Sequence, residues 1–121
     1  MAAKKGHARV VFDEVAYAED TVRGGRAGAS VLRSARTRFE RDGIAVSSLR
    51  RCEAEGRDGT RLPACFKVYL PEPDGKFGVV LALTGDELGL GLHYLAFGIR
   101  HHPKGSHAPT VYEIAHRRLN G

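Results

Sequence analysis

Cysteine is scarce in this 121-residue chain, which has only Cys52 and Cys65. The two stand too far apart for a CxxC redox pair and are too few for a thiolate zinc site. Both read as reduced thiols, with Cys65 packed at a strand start; a disulfide needs an oxidising compartment that nothing else in the sequence suggests. Long apolar runs are missing too. The longest lies around residues 79–83, far short of the roughly 20 residues a membrane-spanning helix requires. No apolar region follows Lys4-Lys5-Gly6, so no secretory signal is expected and the protein is expected to be cytoplasmic, with no membrane partner. Acidic residues are the minority, 14 against 19 Lys and Arg, for a net charge of +5 and a pI near 9.6. That balance favours polyanions through phosphate neutralisation, although solvated charges on an ordinary basic domain give the same total.

What remains is enough for one domain with one modest core, since 42% of the residues are apolar. Residues 1–8 are expected to be a disordered lead-in and residues 9–121 a single domain. Arg9-Val10-Val11-Phe12 fits a short strand, and residues 14–22 carry Ala, Val and carboxylates at helical spacing before Gly24-Gly25 breaks the chain. Ser30 can cap a second helix whose apolar stripe is Val31, Leu32, Ala35 and Phe39, ended by Asp42-Gly43. Its Arg33, Arg36 and Arg41 lie mostly off that stripe, as a solvated or a phosphate-facing side. Residues 44–64 are hard to read. Ile44-Ala45-Val46 fits a scrap of strand, residues 47–55 a short helix, and Gly56-Arg57-Asp58-Gly59 a turn.

Alternation then places Phe66, Val68 and Leu70 on one face of a strand, with Lys67 and Tyr69 on the other. A turn at Pro73-Asp74-Gly75 leads to a second strand over residues 77–83 and a third over residues 90–101. Parity puts Leu95, Phe97 and Ile99 on one face of the third strand, and Tyr94, Ala96, Gly98 and Arg100 on the other. Short connections favour an antiparallel meander. Thr110-Val111-Tyr112-Glu113 fits a capping box that opens a last helix. The fold class is therefore α+β, a helical hairpin packed on a small twisted antiparallel sheet with a C-terminal helix, in the order β-α-α-β-β-β-α.

Three segments carry a family resemblance. Cys65-Phe66-Lys67-Val68-Tyr69-Leu70 resembles the RelE strand that points a basic residue into the active cleft. Leu95-Ala96-Phe97-Gly98-Ile99-Arg100 resembles the later strand that closes with Gly, any residue, Arg. Val111-Tyr112-Glu113-Ile114-Ala115-His116-Arg117-Arg118-Leu119 resembles the closing segment of the RelE/ParE toxin superfamily. The resemblance covers the chain from about residue 61 onward. It implies a toxin of a type II toxin–antitoxin system: a metal-independent endoribonuclease that cuts mRNA on the ribosome, is neutralised by a cognate antitoxin protein, and needs no cofactor.

In such a reaction the ribose 2′-hydroxyl attacks the neighbouring phosphate and the 5′-oxygen leaves. A proton acceptor, a cation for the phosphoryl charge and a proton donor are needed. Arg100 is the candidate phosphate clamp, unless it forms a surface ion pair with a group such as Glu113. Lys67 is a proton acceptor or charge stabiliser by resemblance, or otherwise an exposed lysine. Tyr112 stacks on a base or donates a proton by resemblance, or otherwise packs. His101, His102 and His107 crowd the loop before the last helix and suit general acid–base work, or a solvated loop. No carboxylate accompanies them at a recognisable ligand spacing, so no metal is expected. His93 and His116 read as structural. Lys76, Tyr69 and Lys104 complete the expected substrate-binding set; Lys76 stands near where RelE-like strands carry an arginine, and Tyr69 where they often carry a second basic residue. The alternatives are a ParE-like toxin that binds gyrase without cutting RNA, and a basic nucleic-acid-binding or adaptor domain.

Overall fold

The computed structural model describes residues 4–71, 74–86 and 89–121. Among them the chain is mixed α+β, with three α-helices and two sheets, and no helix is long and apolar enough to cross a membrane. The first strand, β1 (His7–Ala8), pairs antiparallel with β3 (Ile44–Ala45). The expected disordered lead-in is thus corrected over residues 7 and 8, while residues 1–3 lie outside the described part. β2 (Val10–Val11) follows. Then Asp13 caps α1 (Glu14–Arg23), accepting from the Ala16 N–H at 3.0 Å.

Gly24-Gly25 ends α1, and Gly25 takes a φ of 67° that costs a residue without Cβ little. The next helix, α2 (Gly25–Asp42), begins at once. Ser30 is therefore inside the helix rather than its cap, a correction with a clear cause. Gly28 is buried beneath the Phe77 and Phe97 rings, where a Cβ would lie 3.7 Å from both. Close packing outweighs the low helix propensity of the Gly-rich first turns. Leu32 and Ala35 are fully buried, with Val31 and Phe39 packed beside them.

A single 3-10 turn (Val46–Ser48) and β4 (Arg50–Arg51) occupy the stretch where a short helix was expected. β4 instead pairs with β5, and the turn closes through the Leu49 N–H on the Val46 carbonyl. β5 (Cys65–Tyr69), β6 (Phe77–Asp86) and β7 (Gly89–Ile99) form the antiparallel meander, and the full sheet order is β2-β7-β6-β5-β4, with β2 parallel to β7. The expected turn at Pro73-Asp74-Gly75 lies partly outside the described residues; Asp74 and Gly75 both have positive φ. α3 (Val111–Asn120) opens with the capping box, Thr110 and Glu113 bonding reciprocally.

Both faces of the sheet are covered. On the hairpin face, α1 and α2 meet Val68, Leu70, Phe77, Val79, Leu81, Leu92, Tyr94 and Phe97; on the other, α3 meets Cys65, Val80, Leu95 and Ala96. The partition departs from simple parity at one point. Val80 pairs with Ala96, but Leu81 pairs with Tyr94, which leaves Leu95 as an extra, bulged residue. Leu95 and Ala96 therefore both face α3, and Tyr94 joins Phe97 on the hairpin face, correcting the expected placement of Tyr94 and Leu95.

Under the hairpin lies a carboxylate, Asp20, with no exposed surface. It accepts from the Phe97 N–H at 3.0 Å, from the Tyr94 hydroxyl, from Arg118 at 2.7 and 2.9 Å, and from Arg23 at 2.5 Å. Arg118 also reaches the Leu95 carbonyl, and Arg23 the Phe97 carbonyl. One side chain thus joins α1, β7 and α3. Burial and the neighbouring carboxylate push the Tyr94 phenol well above its ordinary pKa.

Candidate functional site

On the α3 face, strand alternation sets Lys67 and Tyr69 in a row on β5, beside Gly78 on β6 and Gly98 on β7. Arg100 follows β7 and lies over Gly78. A Cβ on Gly78 would stand 3.2 Å from the Arg100 Cγ, and one on Gly98 would meet Val111 and Ile114 of α3. The two glycines thus leave room for the arginine on one side and the helix start on the other. The guanidinium stacks over Tyr69, 3.6 Å from the ring centroid, and Nη1 donates to the Gly75 carbonyl at 2.9 Å. Its Nε is buried and has no hydrogen-bond partner among the described residues.

Lys67 Nζ is 5.3 Å from the Tyr112 ring and 5.9 Å from the Tyr69 ring. Arg50 of β4, directly opposite Lys67 in the register, comes within 5.6 Å of the Tyr69 ring. Burial pushes the Tyr112 phenol above its ordinary pKa, and the charge of Lys67 and a hydrogen bond from Arg100 pull the other way without cancelling it. Tyr112 accordingly keeps its proton at neutral pH and can donate it.

Of these side chains, Lys67 and Tyr112 line a cleft of about 530 Å³, together with Cys52, Glu53, Asp58 and His101 among others. The wall opposite α3 is the turn around Asp58, whose carboxylate accepts from the Thr60 hydroxyl and N–H; the hydroxyl bond holds its pKa below the usual carboxylate range. At the base, burial raises the Cys52 thiol to about 11, the Cys65 thiol adding to the shift and Lys67 opposing it.

The expected site residues thus separate into two groups. Lys67, His101 and Tyr112 line the cleft, and Tyr69 and Arg100 stack beside them, outside its lining. His102 instead pairs with Glu113 at 3.0 Å, which occupies the acid considered as a partner for Arg100. His107 and Lys104 are exposed on the loop. Lys76 lines a separate cavity of about 190 Å³ with Asp20, Arg23 and Pro109, over the Phe77 ring. His116 is structural, its Nδ1 accepting from the Arg61 N–H at 2.9 Å, and His93 lies 3.9 Å from Asp13. Arg50, Cys52 and Gly78 were missed from the sequence. The Arg50-Arg51 doublet was visible, but only its pairing with β5 brings Arg50 beside Lys67 and Tyr69.

No protein-family model, curated protein or solved structure matches the chain.

Proposed function

We propose that the chain is a RelE-like endoribonuclease toxin that binds mRNA in this cleft, on the ribosome, and is neutralised by a cognate antitoxin. The observation that carries the reading is the group of basic and aromatic side chains on this face: Lys67, His101 and Tyr112 line the cleft, and Arg100 stacks on Tyr69 beside them. The α+β arrangement of a helical hairpin, an antiparallel meander and a terminal helix also supports the reading, with the short strands β1, β3 and β4 added to the expected order.

Each group has a task in cleavage. Arg100 donates to a non-bridging phosphoryl oxygen, where negative charge grows as the 2′-oxygen attacks phosphorus. Lys67 adds a second positive charge to the same oxygens. Tyr112, protonated at neutral pH, gives its proton to the departing 5′-oxygen. His101 at the cleft wall takes the 2′-hydroxyl proton. The bond from phosphorus to the 5′-oxygen breaks as that to the 2′-oxygen forms, leaving a 2′,3′-cyclic phosphate. One observation favours the ParE-like alternative: Lys76 is away from the cleft, which removes one cation expected for RNA cleavage.

The test is to induce the chain and its Arg100→Ala variant in bacteria lacking an antitoxin and to map mRNA 5′ ends soon afterwards. New ends within translated codons are expected, reduced about 100- to 1000-fold in the variant, as for loss of one donor to a developing oxyanion. Growth arrest without new ends would favour a bound target such as gyrase. A folded product giving neither would overturn the toxin reading.

A further inference from the structure

Two sulfurs that cleavage does not use stand at the cleft, Cys52 in its lining and Cys65 buried and paired with it. β4 pairs with β5 as Arg50 with Lys67 and Arg51 with Phe66, and the register runs on to Cys52, whose N–H donates to the Cys65 carbonyl at 3.0 Å. Residues directly opposite at a hydrogen-bonded antiparallel position have Cα atoms about 5.5 Å apart, within the roughly 4.4–6.8 Å span of a disulfide. Both side chains belong to the apolar cluster on the α3 face, so they point the same way, and both are free thiols. Each raises a different prospect of attack: Cys52 lines the cleft, while Cys65 has no exposed surface.

We propose that Cys52 and Cys65 are a reversible dithiol–disulfide pair, oxidised by a hydroperoxide that enters through the cleft. The Cys52 thiolate attacks one peroxide oxygen, the O–O bond breaks, and a sulfenic acid forms with release of water or alcohol. The Cys65 thiolate then attacks the Cys52 sulfur and expels the sulfenic oxygen as water. Two thiols lose two hydrogens and two electrons, and the peroxide is reduced by the same two. Burial keeps both thiols protonated at neutral pH, so the pair stays reduced under ordinary conditions and responds slowly, to sustained oxidant.

The bridge acts on the cleft wall. The segment between the two cysteines includes Glu53, Asp58 and Thr60 and leaves β4, a strand of two residues. A covalent tie between its ends closes this segment into a loop and restricts its opening from β5. The pair stands on its own geometry, whether or not the cleft cuts RNA.

The full chain, treated with millimolar hydrogen peroxide, denatured and alkylated with iodoacetamide, tests this by intact mass and peptide mapping. The expected product is monomeric, takes up no alkyl group, joins the Cys52 and Cys65 peptides, and reverts with dithiothreitol. Its rate rises about tenfold per pH unit between neutrality and pH 9, following the thiolate fraction. In Cys65→Ser, or Cys65→Ala if the serine variant does not fold, dimedone traps Cys52 as sulfenic acid. Two freely alkylated thiols, a sulfinic Cys52 beside a free Cys65, or a bridge between two chains would each overturn the proposal, and the wild-type result decides it without any variant.

Discussion

Replacing Asp20 tests the architecture most directly. Its carboxylate is fully buried and accepts from two arginines, one hydroxyl and one backbone N–H. Asp20→Ala leaves Arg118, whose side chain is 20% exposed, and Arg23, 33% exposed, without their shared counter-charge. It also strips the Tyr94 hydroxyl and the Phe97 N–H of an acceptor. Removing one partner of a buried pair costs about 3–5 kcal/mol. Partial exposure of the arginines favours the lower half of that range, and their carbonyl partners at Leu95 and Phe97 soften it further. We expect a loss of about 3 kcal/mol, a large share of the roughly 5–15 kcal/mol that holds a domain together. For a chain of this length that is a drop of about 12 °C in Tm. Urea and thermal unfolding followed by circular dichroism measure both. The double variant Asp20→Ala with Arg118→Met should regain part of the loss, because it removes a stranded charge along with its partner. A loss below 1 kcal/mol for Asp20→Ala, or no recovery in the double variant from a larger loss, would refute the reasoning.

Three other outcomes are expected. Gly78→Ala puts a Cβ 3.2 Å from the Arg100 Cγ and 3.3 Å from the Val68 carbonyl; a shift of Arg100 off Tyr69 should lower the proposed RNA cleavage at least tenfold while costing only about 1–3 kcal/mol in urea unfolding. Thr110→Ala removes the oxygen that caps the Glu113 N–H and should cost about 0.5–2 kcal/mol by the same measurement. The Cys52 thiol is raised from 9.0 in the free residue to about 11, so its contribution is fully present below pH 9 and is lost as pH rises through 11. Under reducing conditions, stability should fall over that window by up to about 2 kcal/mol on this account, and Cys52→Ala should flatten the fall.

Elements defined by local chemistry were legible in the sequence. The box Thr110–Glu113 and the alternation of residues 66–70 involve neighbours along the chain, and both stand where expected. The same alternation placed Lys67, Tyr69 and Arg100 on the face that carries the cleft. Residues 44–64 resisted because strands of two residues have no period; β3 and β4 exist only through distant partners, β1 and β5. Ser30 misled because a good cap residue says nothing of Phe77 and Phe97, whose packing lets the helix start at glycines. The histidine loop offered three equivalent residues, and only the path of the backbone assigns His101 to the cleft and His102 to Glu113. Lys76 fell on the wrong side because it precedes β6, where pleat no longer dictates direction.

The bulged Leu95 decides more than its own position. Tyr94 and Arg100 are an even number of residues apart, and an uninterrupted strand would send both side chains to one side. Here Tyr94 anchors Asp20 beneath the hairpin while Arg100 stacks on Tyr69 on the opposite surface. Dropping Leu95 would give a plain strand that keeps both destinations, whereas smoothing the strand with Leu95 retained would force a choice between anchor and arginine. The length of β7 is thus a design constraint with a sense of direction: the chain can shorten there by one residue, but it cannot straighten without turning one of its two surfaces over.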